Sequence, residues 1–321
     1  MRKTNIDVAR GFAIFLVVLG HILLKRDNPC VWLLEFIYSF HMPFFFILSG
    51  LFITSHQTLK ETIVRKGKSL IYPYFTFSLI SIFLQTIKYC LGIIPKEDLQ
   101  NTLYVFVSFQ GFGVLWFLPT LFLGTIFYCL LCKHKISLYL FISIFFPFLC
   151  VLGLHPAITN YYASIFFIRV IVATFLIYIG NSVATKTINL PTNWGLSLFA
   201  TLVIIINIYL CHYNGLVDFH YARFNNILLF LYLSISSSLS ILILSNCVNN
   251  KLLESWGRDS LIIMVTHYIF PVLSLCLYFG NFVSNTVVSV VIITISVMTI
   301  ESFLCKFVNS HCLWLIKIKK N

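Results

Sequence analysis

Three ionisable side chains share one face of the first apolar segment of this chain. Asp7 and Arg10 stand near its start, and His21 follows Arg10 after ten intervening residues. At about 100° per residue, His21 points within about 20° of the direction of Arg10 around the helix axis, and Asp7 lies about 60° from Arg10. A centrally placed Arg costs roughly 2.5 to 3.5 kcal/mol on membrane-insertion scales. We therefore expect this face to point into the protein interior.

His21 has the properties of a general base. A neutral imidazole takes a proton from a hydroxyl near neutral pH, and a helix places His21 about 16 Å beyond Arg10, well inside a membrane. The guanidinium of Arg10 suits an anionic group, such as a phosphate of a nucleotide-like donor. Two simpler roles stay open: polar capping by His21, and pairing of Arg10 with Asp7 or a lipid phosphate.

The second apolar segment contains a proline beside polar side chains. Pro43 has no N–H to donate to the carbonyl of Ser39, so we expect a kink that frees this acceptor at the level of His41. The kink either lines a cavity, with Ser39 and His41 near a substrate, or is a bend in which His41 bonds the freed carbonyl.

Three cations precede the third apolar segment. Arg65, Lys66 and Lys68 follow a connection, 55–68, that can form a short amphipathic helix in the membrane interface. Three cations at the mouth of a helix suit a polyphosphate donor. The same charges would also serve membrane orientation or contact anionic lipid.

The last two apolar segments add a histidine and an acid. Ser260 and His267 are seven residues apart and share a helix face. His267 lies deep enough to need a partner. Glu301 either pairs with a base or lies near the cytoplasmic end of its segment.

The composition is that of a polytopic membrane protein, since 59% of the residues are hydrophobic and only 10% are charged. We predict an all-α bundle of about ten membrane spans that forms a single domain over 1–321, with a first span that is retained rather than cleaved as a signal peptide. The predicted spans are 6–24, 35–54, 69–92, 103–131 with its core after Gly113, 136–154, 162–182, 195–211, 226–245, 260–279 and 285–304.

The basic residues orient these spans. Sixteen of the Lys and Arg side chains fall on the side of the termini and six on the other, which places both termini in the cytoplasm. The basic residues behind the net charge of +12 are therefore spread over short loops between membrane spans, as the orientation of the spans requires. We expect membrane lipids as partners and no nucleic acid. The cysteines are scattered, and Cys129 and Cys132 are a single close pair at the end of an apolar segment, so we expect no metal site.

The chain resembles the acyltransferase 3 family of integral membrane acyltransferases, in particular the branch related to fucose 4-O-acetyltransferase. The motifs that carry the resemblance are Asp7-x-x-Arg10-Gly11 with His21, Ser39-Phe40-His41-Met42-Pro43-x-Phe45-Phe46-x-Leu48-Ser49-Gly50, Leu115-Trp116-Phe117-Leu118, and Gly257-Arg258-x-Ser260-Leu261-x-Ile263 with His267. They occur in the expected order and cover the whole length of the chain.

The resemblance implies transfer of an acyl group, usually acetyl from acetyl-CoA, to a hydroxyl of a cell-surface glycan or its lipid-linked precursor in the bacterial inner membrane. It also implies that Arg10 and His21 are essential. The basic pair of the family corresponds here to Arg65 and Lys68, and Lys cannot bind phosphate in the bidentate manner of Arg.

The mechanism we expect places the thioester beside His21, in a cavity lined by the first, second and ninth spans. His21 takes the proton of the acceptor hydroxyl, Asp7 or another carboxylate orients the site, and Arg10 steadies the donor charge or the oxyanion. The alternative is a transporter or flippase that uses Asp7, Arg10, His21 and Glu301 as a path for protons or substrate. An intramembrane serine protease is disfavoured, because Ser49-Gly50 lacks a preceding Gly.

Overall fold

The computed structural model describes residues 4–26, 30–53, 58–134, 140, 162–184, 193–270 and 272–316. Apart from one isolated bridge between Asp218 and Arg223, the regular structure of these residues is helical. The α-helices are α1 (Thr4–Lys25), α2 (Val31–Gly50), α3 (Leu59–Lys66), α4 (Tyr72–Cys90), α5 (Lys96–Val107), α6 (Phe117–Lys133), α7 (Tyr162–Ile179), α8 (Trp194–Asn214), α9 (Ile227–Ser245), α10 (Lys251–Arg258), α11 (Ser260–Ile269), α12 (Val272–Gly280) and α13 (Thr286–His311). Two π-helical turns, Gly67–Ile71 and Gly180–Ala184, and a 3₁₀ turn, Leu313–Leu315, complete the elements.

The all-α membrane architecture predicted from hydropathy is confirmed. Among the described residues, seven helical stretches are long and apolar enough to cross a membrane, or eight if α11 and α12 form one span with a bend of 62°. The predicted span 136–154 lies outside the described residues, except for residue 140. A total of ten spans and cytoplasmic termini remain predictions.

The predicted span 103–131 is divided in two. Helix α5 ends at Val107 and α6 begins only at Phe117. Between them Phe109, Gly111 and Gly113 have φ values of 56°, 71° and 57°, and backbone in this left-handed region interrupts a right-handed helix. The apolar part of this prediction therefore corresponds to α6, a helix of 17 residues.

The described residues group into two compact units. The first unit comprises Met1–Ile53, Phe175–Phe219 and Arg223–Lys306. Within it α1 packs against α2, α9, α10 and α11, and α2 also packs against α8 and α9. The second unit comprises Thr54–Thr174, His220–Ala222 and Phe307–Asn321, and within it α4 packs against α5 and α3 against α6. A single membrane domain over 1–321 remains a proposal.

Glycines allow two backbones of the first unit to touch. A Cβ atom on Gly50, at the end of α2, would lie 2.2 Å from the carbonyl oxygen of Ile177, and one on Gly180 would lie 1.9 Å from that of Ile47. The Asn181 side chain donates to the carbonyl of Gly50 at 3.0 Å. Small residues of this kind let membrane helices approach closely.

The second unit holds a fully buried cation. Arg169 on α7 donates to Oε1 of Gln110 at 2.5 Å and to the carbonyl oxygen of His220 at 3.1 Å. Its guanidinium also lies 5.2 Å from the centre of the Trp116 ring, a cation–π contact. Arg169 thus joins α7 to two loops, because a buried charge is tolerated only where hydrogen bonds compensate it.

His220, in the loop after α8, gives this unit a dependence on pH. Its ring stacks on Trp116 with centroids 5.6 Å apart, and burial together with the Arg169 charge lowers the pKa of His220 to about 3. The unfolded chain takes up this proton below about pH 6.5, so the stability contributed by neutral His220 is complete above that pH and declines as the pH falls towards about 3.

We therefore expect His220→Phe, which keeps an aromatic ring on Trp116, to reduce the loss of stability on acidification. The measurement is the unfolding temperature in detergent at about pH 7 and pH 4, values that bracket most of the titration. Wild type should lose more between the two values than the variant. Equal losses would show that His220 is not held neutral.

Candidate functional site

Arg10 and Asp7 form an ion pair near the start of α1. Nη1 of Arg10 lies 3.6 Å from Oδ1 of Asp7, and the two side chains are 27% and 3% exposed. The guanidinium also lies 4.8 Å from the centre of the Phe52 ring. The pairing of Arg10 with Asp7, one of the simpler roles considered above, is therefore present. Part of the guanidinium is still exposed, and an anionic ligand can reach it.

A close helix crossing supports this ion pair. A Cβ atom on Gly257 of α10 would lie 1.7 Å from the carbonyl oxygen of Asp7, and one on Gly11 of α1 would lie 1.9 Å from that of Leu253. Both glycines belong to the motifs described above. They allow α10 to pack directly on the turn of α1 that carries Asp7 and Arg10.

His21 lies at the other end of α1, in a group of aromatic rings. Its ring centre is 5.4 Å from that of His267, 5.6 Å from that of Tyr268 and 6.5 Å from that of Tyr38. The structure thus brings α1, α2 and α11 together around a half-buried imidazole. Arg10 is about 16 Å away along the helix. Within the described residues, no group of three or more His, Cys, Asp or Glu side chains is arranged to hold a metal ion.

His267 faces His21 from α11 and is fully buried. Its Nδ1 lies 2.7 Å from the carbonyl oxygen of Ile263, four residues earlier on the same helix. A carbonyl oxygen only accepts, so Nδ1 carries the proton of the neutral ring and Nε2 presents a lone pair. In the described part of the chain, Nε2 has no hydrogen-bond partner.

Glu301 on α13 is fully buried behind α11. Its Oε2 accepts a hydrogen bond from the hydroxyl of Thr266 at 2.5 Å, while Oε1 has no partner among the described residues. Glu301 therefore contacts the residue next to His267.

The proline of α2 frees an acceptor, and a neighbouring helix uses it. Helix α2 runs through Pro43, and the carbonyl oxygen of Ser39 accepts a hydrogen bond from Ser234 on α9 at 2.7 Å. The hydroxyl of Ser39 donates to the carbonyl of Phe36 on its own helix, also at 2.7 Å. Ser39 thus contributes to the packing of α2 on α9.

His41 is buried on the same helix and does not use the freed carbonyl of Ser39. Its Nδ1 bonds the carbonyl oxygen of Ile37 at 2.7 Å, and its ring centre lies 4.8 Å from that of Tyr38. Because Tyr38 also contacts His21, His41 belongs to the outer part of this aromatic group.

The three cations proposed to bind the donor belong to the second unit. Arg65 and Lys66 end α3, whose first turn is fixed by a capping box between Thr58 and Glu61. Lys68 follows in the adjoining π-helical turn. Arg65 and Lys68 are exposed and Lys66 is half-buried, so all three are accessible to an anionic ligand.

Sequence reasoning missed both tyrosines of the His21 group. Tyr38 lies one helix turn before His41, and Tyr268 directly follows His267. Lys25 places its ammonium 5.1 Å from the ring centre of Tyr268. A tyrosine next to a candidate histidine is the one signal that the sequence offered, since aromatic side chains with a polar tip commonly line binding sites.

A comparison with protein families places nearly the whole chain in a known group. The profile described as "Acyltransferase domain", Acyl_transf_3, matches residues 3–305. The chain belongs to the acyltransferase 3 family. This membership favours an acyltransferase over a transporter or a protease.

One curated relative of this chain is Nodulation protein NolL of Mesorhizobium japonicum. The two proteins are 28% identical over 135 residues, which cover 39% of this chain and 35% of NolL. The match thus spans about a third of the relative's length. No solved structure matches this chain.

Proposed function

We propose that this acyltransferase moves an acetyl group from acetyl-CoA to a hydroxyl of a cell-surface polysaccharide or of its lipid-linked sugar precursor, in the bacterial inner membrane. The observation that carries the proposal is the surroundings of His21. A half-buried imidazole lies among His267, Tyr38 and Tyr268, about 16 Å along α1 from an accessible Arg10. This spacing suits a donor whose charged end stays near Arg10 while its thioester reaches His21.

In the proposed reaction His21 takes the proton of the acceptor hydroxyl. The oxygen attacks the thioester carbonyl, a C–O bond forms, and the C–S bond breaks. The departing thiolate of coenzyme A then takes the proton from His21. The buried surroundings keep water from hydrolysing the thioester.

The other candidate residues fall into two groups by position. Asp7 is paired with Arg10 and is about 21 Å along the helix from His21, so it positions Arg10 rather than the imidazole. Arg10 holds donor charge. The cations of α3 and the following turn, which belong to the second unit, are separate candidates for binding donor phosphates; they are Arg65, Lys66 and Lys68. The residues proposed to surround the acceptor are Ser39, His41, His267 and Glu301.

This arrangement also carries a proposal for topology. Acetyl-CoA is made and used in the cytoplasm, so Arg10, one turn or two from the N-terminus of α1, should face that side. Ten spans, with both termini in the cytoplasm, satisfy this requirement.

The test combines chemistry on cells with chemistry on the purified protein. We expect mass analysis of surface glycan to show acetyl esters in cells that carry the gene and none after its deletion. The purified protein in lipid nanodiscs is then given radiolabelled acetyl-CoA and the glycan from the deletion strain. It should release free coenzyme A thiol and transfer the radiolabelled acetyl group to this glycan. Glycan of unchanged mass, with no thiol release, would contradict the proposal.

A further inference from the structure

We infer that His267 is a positioning residue whose Nε2 accepts a hydrogen bond from His21 and so determines which nitrogen of His21 acts as the base. This inference rests on the proposed function, because it assumes that His21 is the base. It adds a specific role for a second histidine at the same site.

The hydrogen-bonding state of His267 follows from its backbone contact. The bond between Nδ1 and the carbonyl of Ile263, 2.7 Å long, requires a proton on Nδ1. In the neutral ring Nε2 is then an acceptor and cannot donate. His267 therefore offers a fixed lone pair to whatever lies in front of it.

This lone pair lies where an unmet hydrogen bond is costly. His267 is fully buried, and within the described residues Nε2 has no partner. Buried polar atoms in native proteins nearly always find a partner, and each exception calls for an explanation. The explanation we give is a donor that takes up this position when the site is assembled for reaction.

His21 is the donor that fits. A neutral imidazole acting as base has one lone pair for the incoming proton and one N–H that can donate. The acceptor hydroxyl has a single proton, which goes to the base, so it cannot also satisfy His267. The ring centres of His21 and His267 are 5.4 Å apart.

That separation is the one expected for two hydrogen-bonded imidazoles. With about 3 Å between the bonded nitrogens and about 1.2 Å from each nitrogen to its ring centre, the centres lie about 5.4 Å apart. The planes are inclined by 39°, and a rotation of the half-buried His21 ring would align its N–H. Hydrogen bonds of catalytic groups often tighten only when substrate is bound.

The chemical consequence resembles that of the third member of a catalytic triad. An acceptor behind the base fixes its tautomer and orientation and stabilises the imidazolium that forms during transfer. His267 differs from the usual carboxylate in being neutral. It therefore orients His21 without adding a buried negative charge to the membrane interior.

Other charged or titratable groups surround His21 and must be kept constant in a test. They are Lys25 on its own helix, Tyr38 on α2, Tyr268 on α11, and Asp218, which interacts electrostatically with Tyr38 from the loop after α8. None of them is changed in the two variants proposed below.

Two amide substitutions test the roles of the two nitrogens of His267 one at a time. The amide of Asn reaches the position of Nδ1, so His267→Asn can keep the bond to Ile263 but lacks the acceptor facing His21. The longer Gln places its amide oxygen at the position of Nε2, so His267→Gln keeps the acceptor and loses the bond to Ile263. His267→Asn should therefore lose activity and keep stability, whereas His267→Gln should lose stability and keep most of the activity.

We expect His267→Asn to lower kcat by about 10 to 100-fold with little change in KM, the usual effect of removing a supporting hydrogen bond. Its unfolding temperature should stay close to wild type. The acidic limb of its pH profile should move to lower pH, since the imidazolium of His21 loses a stabilising acceptor. His267→Gln should retain most of kcat despite a lower unfolding temperature.

Two results would overturn the inference. If His267→Asn is fully active, or is slower with an unmoved acidic limb, the acceptor has no positioning role. If both variants are inactive while folded, His267 is itself the base. The proposed function fails separately, when the wild-type protein transfers no acetyl group or when His21→Ala remains active.

Discussion

We expect His21→Ala to lower kcat for acetyl transfer by about 1,000-fold, within the range of 10² to 10⁴ that a positioned general base contributes. Without the imidazole the acceptor hydroxyl attacks as a neutral group, and no side chain at that position removes its proton. The measurement is the release of coenzyme A thiol by purified protein in nanodiscs, with glycan as acceptor.

The loss should be specific to the imidazole. Because His21 is only half-buried, its truncation should leave membrane insertion and the unfolding temperature nearly unchanged. Added imidazole should restore part of the activity, more so at pH values where it is neutral. His212→Ala is a matched control, since His212 also lies on an apolar helix but is 75% exposed and bonds Glu35. Full activity of His21→Ala would contradict the mechanism.

The sequence predicted most helices of the fold well, because each follows from the apolar stretch that forms it. Long apolar stretches must form helices in a membrane, where every backbone polar group needs an internal partner. The consequence of Pro43 was also local: its missing N–H freed the Ser39 carbonyl, which Ser234 now uses. The Phe109 to Gly113 turn escaped prediction, because the apolar character of the segment continues through it.

The surroundings of His21 depend on contacts between distant segments. His267 is 246 positions further along the chain, and no periodicity indicates that it faces His21. Arg169 is a similar case, since its partners Gln110 and His220 come from two loops. From the sequence, Arg169 is only one of the six Lys and Arg side chains on the side away from the termini.

The motif glycines show how packing and chemistry are combined in one pattern. Gly11 directly follows Arg10, and Gly257 lies ten residues before His267. At both positions the backbone of the other helix occupies the space that a side chain would need. These glycines are thus required by the crossing of α1 and α10, whereas the adjacent Arg10 is paired with Asp7.

We expect Gly257→Ala to be among the most damaging single-methyl substitutions in this chain. The added Cβ would lie 1.7 Å from the carbonyl oxygen of Asp7, and a helix backbone cannot yield as a flexible side chain does. The two helices must separate, at a cost of about 3 kcal/mol or more. Such a shift would also displace Asp7 and Arg10, and Arg10 is the residue proposed to hold the donor.

Gly195→Ala provides the matched control. Gly195 lies in the first turn of α8, and the nearest atom to its added Cβ is 3.7 Å away. There the substitution should leave stability unchanged or raise it slightly, because Ala favours helix over Gly. Unfolding temperature in detergent and KM for acetyl-CoA are the two measurements.

The two measurements distinguish packing from binding at this crossing. Gly257→Ala should lower the unfolding temperature and, in the protein that remains folded, raise KM for acetyl-CoA more than it lowers kcat, since Arg10 moves while His21 keeps its neighbours on α2 and α11. Unfolding at the temperature of Gly195→Ala would show that the crossing can open without cost. An unchanged KM for acetyl-CoA in a destabilised protein would show that Arg10 does not bind the donor.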